Sequence, residues 1–186
     1  MTFHEDVVQL EACQEAVDFL ANNDIVWFWE NNTDPTWTGW VLSQVNLDRA
    51  TAITIGIEIA ERVAHLNKDE YSHKYIPLVE AWHKDKPKDK GVGLLDEFAP
   101  REGPTNLAGT VCRRLAKMTD PKWTDKEVVQ ILLSLRGAAI DAVSHDAFWK
   151  GDQAAQVAAE IAAQDKIIHK YITSADIAKL WSERNA

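Results

Sequence analysis

Apolar residues at three-and-four spacing, restarted repeatedly behind a capping side chain, constrain this chain more than any other feature. Residues 6–21, "DVVQLEACQEAVDFLA", place Val7, Leu10, Cys13 (or Ala12), Ala16, Val17 and Leu20 together, which predicts one amphipathic helix with an acidic outer face. Asn22-Asn23 ends it. Asp24 then stands where an N-cap belongs for a short helix, "IVWFWENN". Asp34-Pro35 restarts the chain, with Asp as cap and Pro at the first helical position of "TWTGWVLSQV". Asp48 precedes "RATAITIGIEIAERVAHL", a long apolar segment with Ile53, Ile57, Ala60 and Ala64 on one side. Its "AITIGIEI" core alternates as a strand would, but its length and its Arg-Val-Ala-His-Leu ending favour a central helix.

The same signals continue to the end. Residues 75–84 predict a helix containing Trp82, with Pro77 early enough to be tolerated. Residues 106–117 predict another, with Cys112 and Leu115 inward. Thr124 and Glu127 form a capping-box pair ahead of "DKEVVQILLSLRGAAIDAVS". Residues 152–172 are an alanine-rich helix, and Ser174 caps a last one holding Leu180 and Trp181. The expected fold is all-α, an irregular multi-helix bundle of about eight or nine helices. One domain spans residues 1–186, with a mobile or irregular loop at about 85–104 that opens on "DKPKDKGVG".

Charge adds a second constraint. The net charge is −9, yet residues 1–61 hold 11 acidic residues and a single basic one, Arg49. The remaining 125 residues carry 18 acidic and 19 basic side chains, so the first third supplies all of the imbalance. Such a field repels nucleic acid and attracts a basic protein surface, while the plainer reading is solubility. The start, "MTFHEDVV", lacks the features of a signal peptide, and no unbroken apolar run approaches the ~20 residues of a membrane span. Cys13 and Cys112 match no zinc or redox spacing, and both fall on apolar helix faces, where a free thiol acts as a small hydrophobe. These features point to a reduced, cytoplasmic protein that contacts no membrane.

No motif announces a reaction. There is no Walker loop, nucleotide fingerprint or nucleophile elbow. His145-Asp146 has the pairing used by metal-dependent hydrolases, for which His83 and Asp176 could be drafted as further ligands. The plainer reading is a helix terminus with His145 in solvent. His65, Asp69 and His73 are spaced by fours, but the helix is expected to have ended before them. Lys84, Lys86, Lys88 and Lys90 are interleaved with Asp85 and Asp89 and read as a solvated loop. No catalytic residue, metal or cofactor is expected, and no direct binding of nucleic acid.

Four of the eight tryptophans fall in "WFWENNTDPTWTGW", residues 27–40. Trp37 and Trp40 are three apart, share a helix face and are expected in the core. Trp27 and Trp29 are two apart and cannot share one, so one of them should point outward. The stretch is therefore mainly a packing corner with an aromatic left over for recognition. Asp18, Asp24, Trp27, Trp29, Glu30 and Asp34 are the candidate partner-binding residues.

Three segments carry a resemblance. "ACQEAVDFL" at 12–20, "PTWTGWVL" at 35–42 and "RATAITIGIEIAERVAHL" at 49–66 resemble the immunity-protein family 5 domain of bacterial polymorphic toxin systems. The alanine-rich tail "AAQVAAEIAAQDKIIHKYI" is similar to that family's closing helix. The resemblance covers about residues 8–85 and 130–172. It implies an all-α, non-enzymatic antidote that binds and blocks a toxin, often a nuclease. A phage-encoded counter-defence inhibitor of a host defence protein, acting as a nucleic-acid mimic, is the alternative with the same physics; a metal-dependent hydrolase using His145-Asp146 is the less favoured one.

Overall fold

The computed structural model describes residues 3–19, 23–66, 76–77, 79–81, 84, 107–148 and 150–184. Among them there is no strand. Nine α-helices and one 3-10 turn follow in order: α1 Phe3–Gln9, α2 Gln14–Phe19, α3 Ile25–Asn31, α4 Pro35–Gln44, α5 Arg49–Val63, the turn Ala64–Leu66, α6 Leu107–Met118, α7 Asp125–Phe148, α8 Gln153–Tyr171 and α9 Ser174–Glu183. The fold is all-α, as the periodicity requires. Residues 76–77 and 79–81 are also helical, with Ile76 and Val79 buried. The loop expected at 85–104, with Lys86, Lys88 and Lys90, lies outside the described residues, as do Asp69, His73, Trp82 and His83.

Capping explains where most helices begin. Asp24 accepts from the Trp27 N–H at 2.8 Å, Asp34 from the Thr36 N–H at 2.7 Å and Asp48 from the Thr51 N–H at 2.9 Å. Thr124 and Glu127 close a reciprocal box at the start of α7. The cap of α9 is Thr173, one residue before the expected Ser174, because Thr173 completes a box with Asp176.

The single helix expected over 6–21 is instead two. Glu11 takes a left-handed φ of 56°, the Ala12 N–H reaches back to the Val7 carbonyl at 3.2 Å, and the Glu11 N–H reaches Val8 at 3.1 Å. That pair of bonds is the Schellman ending of a helix, which glycine usually supplies. With Glu in the glycine position, the residue types do not show the break. Cys13 consequently lies exposed between α1 and α2 rather than on an apolar face, whereas Cys112 is buried in α6.

The chain divides into two compact units. Unit 1 comprises residues 1–46 and 169–186, and unit 2 residues 47–168. In unit 2, α5 packs against both α6 and α7, which pack on each other. Helix α5 buries residues on nearly all sides, including Ile53, Ile55 and Ile59, as a central helix must. Gly56 lets α6 approach: an added Cβ would stand 3.2 Å from Leu115 Cδ1 and Met118 Sδ. Arg49 holds the turn between α6 and α7 through the carbonyls of Asp120 and Trp123. Polar groups, with Arg136, Glu160 and Gln164 buried, join α5, α7 and α8. Arg62 pairs with Glu160 at 2.8 Å, Gln164 donates to Glu160 at 2.9 Å, and Arg136 pairs with Asp165 at 2.5 Å. Helix α7 meets the length and composition of a membrane-crossing helix, with a mean hydropathy of 1.2 over 18 residues, 44% of them buried. A search for an unbroken apolar run passes over it, because Arg136 and Asp141 interrupt the segment.

Unit 1 is closed by its two distant pieces. Helix α3 packs along α9. The buried Asp6 carboxylate accepts from the Trp181 indole at 3.0 Å and pairs with Arg184 at 2.8 Å. Phe3 meets Trp181 edge-on with centroids 4.8 Å apart.

Candidate partner-binding face

The face is built from α2, α3 and the start of α4, all in unit 1. Asp24 fixes the first turn of α3, and from there the helical rotation sorts the aromatic run. Ile25, Phe28 and Trp29 turn inward, while Trp27 turns outward at 37% exposure. Trp29 is withdrawn from any surface. It is 2% exposed, its indole donates to the Ile172 carbonyl at 2.9 Å, and its own carbonyl accepts from His169 Nε2 at 2.9 Å. As a candidate contact residue Trp29 is therefore corrected: it is a core anchor, because its polar indole edge meets a matched acceptor.

Trp27 is backed by Phe19, whose ring centroid lies 5.2 Å away and tilted by 46°. Phe19 also meets Trp37 at 5.1 Å and Phe28 at 6.3 Å. The expectation of a buried Trp37 and Trp40 is corrected too. Both are half-buried, and the inward stripe of α4 runs through Thr38, Val41 and Leu42. Spacing establishes which residues share a face but not which face a neighbour covers. Trp40 leans on Trp181 at 6.1 Å. Phe19 and Trp37 thus join Trp27 in a partly exposed aromatic trio. The one sequence signal for Phe19 was its place three residues after Ala16, the only buried residue of α2.

Four carboxylates lie on the same three helices and their caps as the trio. Asp18 is exposed and accepts from Gln14 Nε2 at 2.8 Å. Asp24 and Glu30 are exposed on α3, and Asp34 is half-buried at the cap of α4. Two of the four are caps as well as charges. No Lys or Arg precedes Arg49, and unit 1 as a whole carries ten acidic residues against three basic, a net charge of −7. Unit 2, with 19 acidic and 17 basic residues, is nearly balanced. Val8, at 51% exposure, is a further uncovered apolar side chain of unit 1.

His145 is exposed on α7, and its neighbour Asp146 pairs with Lys150. Asp176 is occupied by the Thr173 N–H and hydroxyl. His65 and Lys84 are exposed. Among the described residues no group of three or more His, Cys, Asp or Glu stands ready to hold a metal ion. No protein-family model, curated protein or solved structure matches the chain.

Proposed function

We propose that this chain is a non-enzymatic inhibitor that binds a partner protein with a basic surface through the acidic, aromatic face of unit 1. The observation that carries the reading is the segregation of charge onto one folded unit: a net −7, no basic residue before Arg49, and Trp27 exposed among the carboxylates. Complementary fields of this kind speed encounter, and a part-exposed aromatic supplies the desolvated centre that holds the complex. The same field repels nucleic acid, so the partner is a protein. The resemblance of residues 12–20, 35–42 and 49–66 to immunity-protein family 5 favours a toxin, in particular a nuclease whose nucleic-acid groove is cationic. Such an antidote acts in the cytoplasm and uses no cofactor. A phage-borne inhibitor of a defence protein would use the same face.

The test is co-expression with the products of adjacent genes, scored for growth arrest that this chain relieves, followed by association kinetics of the relieved pair. The charge variant must respect the caps. Lys at Asp24 or Asp34 would break a helix start, whereas Asn caps nearly as well as Asp. The combined Asp18→Asn, Asp24→Asn, Glu30→Gln and Asp34→Asn chain should keep its melting temperature and associate about tenfold more slowly at low salt. If no adjacent product is neutralised, or if the rate ignores both salt and the four amides, the reading is wrong.

A further inference from the structure

Asp24, the N-cap of α3, Trp27 and Glu30 are spaced by threes, and all are exposed, so helical spacing puts Trp27 next to a carboxylate on either side along the helix. Asp24 uses Oδ1 on the Trp27 N–H at 2.8 Å, and the Glu30 carboxylate has no hydrogen bond or ion pair among the described residues. Phe19 backs the ring at 5.2 Å and still leaves Trp27 37% exposed. No described cation stands over it. Unit 1 contains a related grouping of tryptophan, carboxylate and arginine, with the carboxylate on the indole N–H rather than on the backbone. The Arg184 guanidinium lies 4.1 Å from the centroid of the Trp181 ring, and Asp6 holds both, through the indole N–H at 3.0 Å and the guanidinium at 2.8 Å. There the chain supplies its own arginine. At Trp27 the indole and the carboxylates are present and the guanidinium is not.

We propose that α3 is an arginine-recognition platform. Trp27 stacks an incoming guanidinium, and Asp24 and Glu30 pair with its edge, so the partner presents an arginine on a basic protein segment. The inference rests on the partner-binding reading above and narrows it to one side chain. Arginine rather than lysine is specified because a planar, weakly hydrated guanidinium stacks on an indole while still donating to carboxylates at its rim. A lysine ammonium is a compact, strongly hydrated charge that gives up more on leaving water.

The probes are short oligoarginine and oligolysine peptides of equal length, titrated into the full chain with indole N–H resonances followed by NMR. Oligoarginine should move the Trp27 indole signal and bind about two- to fivefold tighter than oligolysine, the range an exposed stacking contact provides. Trp27→Leu, with an unchanged melting temperature, should bring the two affinities together while leaving charge-driven binding in place. Asp24→Asn with Glu30→Gln should weaken both peptides and needs no change to the ring. Equal binding of the two peptides to the wild-type chain would overturn the platform and leave the acidic face standing. Absence of binding by either peptide would overturn both. A Trp27 signal that moves with protein concentration alone would assign the face to a second copy of the chain, against the proposal.

Discussion

Trp27 and Trp29 show how two identical side chains, two positions apart, acquire opposite roles. The rotation of a short helix is enough to separate them, and the Ile172 carbonyl then gives the inward indole a matched acceptor. Trp29→Ala should cost about 3–5 kcal/mol, as aromatic truncations in cores do, and Trp27→Ala about 1 kcal/mol or less. Denaturant titration of both variants decides it; equal losses would mean the ring of Trp27 is as deeply packed as that of Trp29. That the two rings part was legible in the spacing; which of them turns inward was not. The half-burial of Trp37 and Trp40 was not, because it depends on Phe19 and Trp181, and Trp181 comes from the far end of the chain.

Helix starts in this chain are written locally and helix ends are not. Asp24, Asp34, Asp48 and Thr124 were readable as caps because a side-chain acceptor two or three residues before a free N–H is a local relation. The break at Glu11 lacks the glycine that would mark it, so the first helix reads as longer than it is. Glycine inside helices is equally context-bound. An added Cβ at Gly137 on α7 meets nothing within 4 Å, while one at Gly56 on α5 would press on Leu115 and Met118 at 3.2 Å. Gly137→Ala should therefore stabilise by about 0.5–1 kcal/mol, the helix preference of alanine over glycine. At Gly56 the same gain is opposed by overpacking between buried side chains. Thermal unfolding should rank Gly137→Ala above Gly56→Ala, and the reverse order would show that α5 and α6 have room to separate.

Over the whole molecule, ionisation ties stability to pH. The Thr124 N–H and hydroxyl hold Glu127 below its ordinary range, and the Thr173 hydroxyl and N–H do the same for Asp176. For Asp48, burial pushes upward, but the hydrogen bonds from Thr51 and Ala50 prevail and lower it. The unfolded chain takes up these protons at a higher pH than the folded one. The stability they contribute is therefore complete above the ordinary carboxylate range of about 4, and is lost as pH falls through the lower folded values. Glu61 has the opposite sign. Burial, then repulsion from Glu80 and Glu58, raises it, so its contribution is present at low pH and fades as pH rises through the raised value. The denaturation midpoint should fall between about pH 5 and pH 3, and Asp48→Asn, Glu127→Gln and Asp176→Asn together should flatten that slope. Glu61→Gln should raise the midpoint at neutral pH. A wild-type midpoint that is level across the acid range would show that the caps carry no net charge preference.

The closure of unit 1 by residues 169–184 has a consequence for biosynthesis. The partners of Phe3, Asp6 and Trp29 are Trp181, Arg184, Ile172 and His169, which leave the ribosome more than a hundred residues later. At ordinary elongation rates the interval is on the order of ten seconds. During it the first 46 residues hold their acidic, tryptophan-rich helices without the segment that covers them. Unit 2 is continuous and can condense while the chain is still growing; the segment bearing Trp27 is translated before unit 2 and completed after it. If the proposed partner-binding reading holds, the acidic face would become competent only after residues 169–184 have followed unit 2 out of the ribosome.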